Sequence, residues 1–272
     1  MLKDNRGRTI SYIRFSITDK CNLHCRYCRD ESGVPIVSHS DILTLEQIET
    51  LSKKFVQKGV SKIRLTGGEP LVRRGVVWLV EKLARIDGLT DLSMTTNGSM
   101  LPKFAEPLFR AGLGRINISL DTLDPTKYNF ITRDGQLSET IAGIDAAIAT
   151  GFKPIKINTV LIKNFNDSKN DIKKMRDFCK KRGIIGRFIR EMSLKKGSWS
   201  GLVGDPKSDV GLCHKCNKLR VDCFGRVYPC LFSDRFVPIT AENFDEALVQ
   251  ILRVKPKEGS YNKTLTMRQI GG

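Results

Sequence analysis

The chain has 272 residues, 40% of them hydrophobic and 28% charged, and its 46 Lys and Arg against 29 Asp and Glu give a formal charge of +17. Such a composition buries a core, which excludes a disordered chain, and no apolar run reaches the roughly 20 residues that a bilayer span requires. The basic residues lie in short scattered groups such as Arg73-Arg74 and Lys180-Lys181-Arg182, and with 7% aromatic residues they do not form the interleaved basic and stacking surface of a single-strand nucleic-acid binder. The opening stretch from Met1 to Arg6 has no apolar secretory segment, so a cytoplasmic setting is expected, with the eight cysteines as reduced thiols.

Strand and helix signals alternate along the chain. Tyr12 to Ile17 alternates in the period of a strand, with branched residues. Thr44, with Gln47 three residues on, predicts an N-cap for a helix whose apolar stripe is Leu45, Ile48, Leu51 and Phe55 and which ends at Gly59. A strand follows at 62–66, then a helix near 76–86, a strand at 92–95, a helix near 103–111 and a strand at 115–120. The rhythm continues through a helix at 138–150, a strand at 155–162, a helix at 168–182 and a sixth strand at 187–192. Repeated βα units predict an α/β fold with a parallel sheet, either open and doubly wound or curled into all or part of a barrel. Beyond Met192 the rhythm stops. Residues 193–212, with Gly197, Gly201, Gly204 and Pro206, read as a linker between a barrel-like unit over 1–192 and a smaller cysteine-bearing extension over 213–272.

The strongest chemical signal is Cys21, Cys25 and Cys28, a C-x3-C-x2-C array just after the first strand. Structural zinc normally closes four ligands, whereas a cubane iron-sulfur cluster on three cysteines leaves one iron open; zinc with His24 as a fourth ligand is the alternative. Cys213, Cys216 and Cys230 form a second three-cysteine set, for which a zinc ribbon completed by Cys223 or His214 is the alternative. Cys179, beside Phe178 in a helical pattern, reads as a small buried hydrophobe.

The first array, Arg14 to Asn22, Lys62 to Pro70, Thr95 to Gly98, Asn117 to Asp121, the second array and the terminal Gly271-Gly272 together resemble the radical S-adenosylmethionine (SAM) superfamily and, within it, the GTP 3′,8-cyclase (MoaA) family of molybdenum-cofactor biosynthesis. That resemblance implies a partial (β/α)6 TIM-type barrel with a small C-terminal extension, two 4Fe-4S clusters and SAM. Cys21, Cys25 and Cys28 would hold the first cluster, and Cys213, Cys216 and Cys230 the second. Gly68 and Glu69 would lie beside the methionyl end of SAM, with Tyr27, Ser119 and Met192 as further contacts. The implied activity is conversion of GTP to 3′,8-cyclo-7,8-dihydro-GTP through a 5′-deoxyadenosyl radical. Arg14, Lys62, Arg64, Thr95, Lys156 and Arg187 would bind GTP, since basic residues on barrel strands are costly unless an anion compensates them. Lys218 and Arg220 match a basic substrate-contacting segment, with Lys218 where the family commonly has Arg. Arg14, Gly271 and Gly272 would serve catalysis. An electron donor, hand-off of the product to a cyclic pyranopterin monophosphate synthase and a homodimer complete the implied partners, with no membrane.

Besides Lys218, three features depart from the family pattern: a shorter 193–212 segment, Arg190 and Glu191 at the end of the sixth strand, and the additional Cys223. A related radical SAM enzyme acting on a peptide or RNA is the alternative activity, and a zinc-stabilised interaction protein the non-enzymatic one.

Overall fold

The structure, a computed structural model, describes residues 1–28, 42–133, 135–191, 202–203 and 212–259. A short antiparallel pair, β1 (Leu2–Lys3) and β2 (Thr9–Ile10), precedes the repeating units. These run β3 (Tyr12–Ser16), α1 (Leu45–Gln57), β4 (Lys62–Thr66), α2 (Val76–Ala84), β5 (Asp91–Thr96), α3 (Leu101–Arg110) and β6 (Arg115–Ser119). They continue as α4 (Pro125–Thr132), α5 (Leu137–Thr150), β7 (Ile155–Leu161), α6 (Lys169–Lys181) and β8 (Ile185–Arg190). The remaining elements are β9 (Leu202–Val203), β10 (Lys218–Val221), β11 (Arg226–Tyr228), β12 (Val237–Pro238) and α7 (Phe244–Arg253).

All strands from β3 onward join one ten-stranded sheet in the order β12-β11-β10-β3-β4-β5-β6-β7-β8-β9. The run from β10 through β3 to β8 is parallel throughout, and β9, β11 and β12 are antiparallel additions at its edges. The result is an α/β fold, a partial (β/α)6 barrel left open between β3 and β8 and extended beyond β3 by the cysteine-bearing segment. No helix among the described residues is long and apolar enough to cross a membrane.

Local chemistry accounts for the elements. Thr44 and Gln47 form the expected capping box on α1: Thr44 Oγ1 accepts from the Gln47 N–H at 3.2 Å and Gln47 Oε1 accepts from the Thr44 N–H at 2.8 Å. Alternate strand residues, Ile13 and Phe15, Ile63 and Leu65, Ile116 and Ile118, are wholly buried against the helix layer. Phe55 of α1 meets Phe15 edge-on at 6.0 Å and Phe244 of α7 at 4.9 Å, so the C-terminal segment shares the barrel's own core. Both sheet and core therefore run across the sequence boundary drawn between 192 and 213.

One helix was not visible in the sequence pattern. α4 is only eight residues long and lacks a clear apolar stripe, but Asp124 caps it by accepting from the Thr126 and Lys127 N–H groups at 2.9 and 3.0 Å, and Pro125 opens it. The sixth strand is also displaced from its expected 187–192 to Ile185–Arg190. Met192 lies outside the described residues, as do most of the 193–212 linker and Gly271 and Gly272.

Because Phe55 joins β3, α1 and α7 in one cluster, Phe55→Ala is expected to cost about 3–5 kcal/mol. Denaturant unfolding should show barrel and C-terminal segment lost in a single transition at lower midpoint; two separated transitions would contradict the shared core.

Candidate active site

The three cysteines of the first array follow β3 at the C-terminal end of the parallel strands, and each is half-buried and outside any disulfide. Their loop is fastened to the last turn of α4, whose carbonyls have no intrahelical donors. The His24 N–H donates to Thr132 O at 3.1 Å, the Arg26 N–H to Ile131 O at 2.9 Å and Arg26 Nε to Phe130 O at 2.8 Å, with the guanidinium 4.1 Å from the Phe130 ring centre. From the other side, the loop after β4 is laced to the residues leading into the array. The Gly68 N–H donates to Thr18 O and the Glu69 N–H to Lys20 O, each at 2.8 Å. A Cβ on Gly68 would stand 2.2 Å from Lys20 O, and Gly67, at φ +148°, would meet Thr18 O at 2.4 Å, so only glycine permits this approach.

Two carboxylates brace the same end of the barrel. Glu69, 1% exposed, accepts from the Leu71 N–H and Thr96 hydroxyl on one oxygen and from the Asn97 N–H on the other. Burial pushes its pKa up to about 7 against the pull of those hydrogen bonds. Asp121, pushed up to about 6 by burial, accepts from the Tyr27 hydroxyl and from the Val160 N–H, each at 2.7 Å, and so ties the cysteine loop to β7. Glu69 and Tyr27 thus spend their polar side-chain atoms on organising loops. Ser119 ends β6 at this level, half-buried.

The parallel register decides what faces the barrel's hollow side. Side chains alternate along a strand, so with Ile13 and Phe15 against the helices, Tyr12, Arg14 and Ser16 face the other way. In register, Arg14 lies between Arg220 and Arg64, Arg64 is opposite Ser93, and Ser93 is opposite Arg115. Nearer the cysteine loop, Thr95, Asn117 and Lys156 are aligned, then Ser119, Asn158 and Arg187. Lys218 and Lys62 flank Tyr12 at the opposite end of the strands, and Lys62 is exposed there.

These cations crowd one another. Burial first, and then Arg220 and Arg64, disfavour the charged form of Arg14. Burial, followed by Arg187, Arg115 and Arg64, brings Lys156 down to about 8, with Asp91 opposing. Asp91 itself is engaged by Arg115 through a two-pronged ion pair, with Nε to Oδ1 at 2.8 Å. Arg64 donates to Ser93 Oγ at 3.2 Å and lies 5.6 Å from the Tyr12 ring centre, and Lys218 lies over the same ring at 5.8 Å. The Tyr12 hydroxyl and Thr95 Oγ1 are buried without a hydrogen-bond partner among the described residues. Crowded cations with orphaned polar atoms suit a polyanionic ligand that would supply both charge and hydrogen bonds.

The second array sits at the other end of this face. Cys213 and Cys216 precede β10, whose first residue pairs with Tyr12, while Cys230 follows β11, which returns antiparallel to the same end. Arg8, bonded to Asp4 at 2.6 Å, donates to Cys213 O at 2.7 Å and Pro256 O at 2.8 Å. Arg220 feels the charges of both Cys230 and Cys216. Burial raises the Cys216 thiol, but Lys255, the Lys218 N–H and the Lys218 charge bring it below its ordinary value. Cys223 is 1% exposed, and burial first, then Asp222 and Asp19, push its thiol up to about 12. Cys179 is 3% exposed and packed near Gly186, a core thiol.

A family model described as the radical SAM superfamily matches residues 15–179. A GTP 3′,8-cyclase from Thermodesulfovibrio yellowstonii is 37% identical over 324 aligned positions that cover all of both chains, and GTP 3′,8-cyclase 1 from Pseudomonas aeruginosa is 40% identical over 281 positions covering 88% of this chain and 84% of that one. The chain belongs to the GTP 3′,8-cyclase family of the radical SAM superfamily. Among solved structures it resembles Streptococcus suis SuiB bound to precursor peptide SuiA, at 15% identity and a TM-score of 0.68 over 92% of this chain and 66% of that one. It also resembles native anSMEcpe with bound AdoMet, at 15% identity and a TM-score of 0.65 over 88% of this chain and 80% of that one. These two likenesses establish the shared barrel fold.

Membership in the family brings 4Fe-4S clusters and SAM, and the residues present suit them. Among the described residues no three His, Cys, Asp or Glu side chains converge closely enough to hold a single metal ion. A cubane takes each thiolate on a different iron, so its ligands stand apart, and two open three-cysteine sets fit clusters better than mononuclear zinc. The Gly67-Gly68 approach leaves the backbone bare beside the first set, as close contact with a small cofactor requires.

Several participants escaped the sequence reading. Tyr12 and Ser93 each stand two residues from a named candidate on the same strand face, and Arg115 four residues from Ser119, a period-2 signal that could have found them. Arg8 and Lys255 carried no such signal, because only tertiary packing brings them to the second array.

Gly68→Ala should displace the Lys20 carbonyl and strip iron from the first array. Gly114→Ala, whose Cβ would meet Leu92 O at an ordinary 3.5 Å, should retain it. Equal iron content in the two purified variants would show that the close approach at Gly68 is not required.

Proposed function

We propose that this chain is a GTP 3′,8-cyclase that converts GTP to 3′,8-cyclo-7,8-dihydro-GTP in molybdenum-cofactor biosynthesis. The observation that carries this reading is the row of cations lying between two three-cysteine sets at opposite ends of one strand face, with β3 spanning about 13 Å between its first and last residues at 3.3 Å per step. Full-length likeness to enzymes named for that reaction supports it.

When bound, the first cluster and SAM would supply a 5′-deoxyadenosyl radical for removing hydrogen from C3′ of GTP, and bonding of C3′ to C8 of guanine then calls for one further electron and one proton to reach the 7,8-dihydro product. Cys21, Cys25 and Cys28 would hold that cluster, and Gly67 and Gly68 would admit SAM beside it, with Ser119 and Met192 as further contacts. Arg14, Arg64, Lys156, Arg187 and Arg220 would hold the triphosphate through charge-assisted hydrogen bonds, and Thr95 would donate its hydroxyl. Hydrogen abstraction needs no side-chain base, so these residues act by fixing the ribose relative to the radical source. Cys213, Cys216 and Cys230 would hold the second cluster at the far end of GTP, near Lys218. In this reading Gly271 and Gly272 assist catalysis from the C-terminal tail, an electron donor reduces the first cluster, and the product passes to a cyclic pyranopterin monophosphate synthase. Eight cysteines outside any disulfide suit a reducing cytoplasm.

Mass spectrometry of the anaerobically reconstituted, reduced protein with SAM and GTP should find cyclised GTP together with 5′-deoxyadenosine. 5′-Deoxyadenosine without a GTP product would leave the radical chemistry standing and remove GTP as substrate.

The Lys156 ammonium is lost as pH rises through the region above about 8, so GTP affinity should fall between about pH 7 and about pH 10, by equilibrium dialysis. Bound triphosphate holds the proton more tightly, which sets the upper end of the fall and leaves its onset near the ligand-free value of about 8. Lys156→Arg, which stays cationic, should flatten the profile; an equally steep profile in that variant would place the titrating group elsewhere.

A further inference from the structure

Lys255 follows α7 and is 2% exposed, yet its charged end meets no carboxylate among the described residues. Its Nζ donates to Pro229 O at 2.6 Å, to Lys218 O at 2.8 Å and to Cys216 Sγ at 3.5 Å. An ammonium has three protons, and these three acceptors use them all. The acceptors are not a random set. Pro229 precedes Cys230, Lys218 lies two residues beyond Cys216, and Cys216 is itself a member of the second array. One side chain therefore ties the Cys213–Cys216 turn to the strand end that carries Cys230. A buried cation is costly unless opposite charge compensates it. The negative groups it is placed to meet are the thiolates: Cys216 by contact, and Cys230, on whose sulfur the Lys255 charge also acts.

We propose that Lys255 is a positioning residue of the second array, which holds Cys216 and Cys230 in their ligating arrangement and, by donating to Cys216 Sγ, raises the reduction potential of the cluster bound there. This rests on reading Cys213, Cys216 and Cys230 as a cluster site. The physical basis is that a hydrogen bond and a positive charge at a ligand sulfur stabilise the more negative, reduced state of a cluster. Arg8 frames the array from its other side through Cys213 O and Pro256 O, but it reaches main-chain oxygens, so its effect on the cluster's electronics is smaller.

The test is an EPR-monitored redox titration with an iron assay on the anaerobically reconstituted full chain, with Cys230→Ser identifying the signal that belongs to the second array. In Lys255→Met that signal should shift to lower potential, or disappear with its iron while the first-array signal persists. Lys255→Arg, which keeps a cation and donors, should stay near the unsubstituted protein. A Lys255→Met protein with full iron and an unmoved potential overturns the proposal. A readout on the unsubstituted chain guards against a variant that fails to fold: with lysine labelled by 15N at Nζ, pulsed EPR of the reduced second array should show a 15N coupling that Lys255→Arg removes. Absence of that coupling, or its survival in the Arg variant, also overturns the proposal. If Cys230→Ser removes no signal, the cluster reading of the second array fails and the proposal with it, whereas an assigned signal that ignores Lys255 defeats the proposal alone.

Discussion

The parallel register of β10, β3 and β4 is the constraint on which the site depends. It sets Arg220, Arg14 and Arg64 side by side, and continuation of the same register through β8 adds Arg115, Lys156 and Arg187 to the face. A slip of one residue in β3, β4, β7 or β10 would send its cation into the helix layer and an apolar neighbour into the hollow. The apolar alternation that drives core formation thus also places the charges. Ile13, Phe15, Ile63 and Leu65 are buried completely, and their neighbours in the chain have no alternative but the opposite face.

That arrangement is electrostatically unfavourable by itself, as the depressed values of Arg14, Arg64, Arg220 and Lys156 record, each with burial as the leading cause. The core provides the stability that keeps the row together. Phe55 between Phe15 and Phe244 joins the two ends of the chain, and the ion pair of Arg115 with Asp91 offsets part of the repulsion. A polyanion entering the hollow relieves what remains, which is the differential interaction that turns a costly surface into a binding site.

The two cysteine sets are held by different means. The first hangs between α4 and the glycine pair after β4, through backbone hydrogen bonds that a single Cβ would break. The second is framed by two cations, the half-buried Arg8 and the buried Lys255, that donate chiefly to main-chain carbonyls. In the first case the loop geometry is local to consecutive βα units. In the second, residues from the chain's beginning, from β10 and from beyond α7 have to meet.

Much of this was legible in the sequence for a definite reason. Period-2 alternation of Ile and Phe marks strands, the Thr44 and Gln47 pair marks a helix start, and three cysteines in eight residues mark a ligand loop, because each signal is completed within a few residues of itself. α4 was not legible, since eight residues give too few turns for a stripe and its worth lies in the carbonyls it offers to His24 and Arg26. The choice between an open sheet and a partial barrel, and the attachment of β10 to β3, likewise needed tertiary structure. Pairing partners more than two hundred residues apart are selected by complementary edges and a shared core, and no local pattern encodes them. The sequence by itself determined the two three-cysteine sets and the alternation of cations with apolar residues along the strands; packing decided that the cations share one face, that the two arrays stand at its opposite ends, and that Lys255 reaches the sulfur of Cys216.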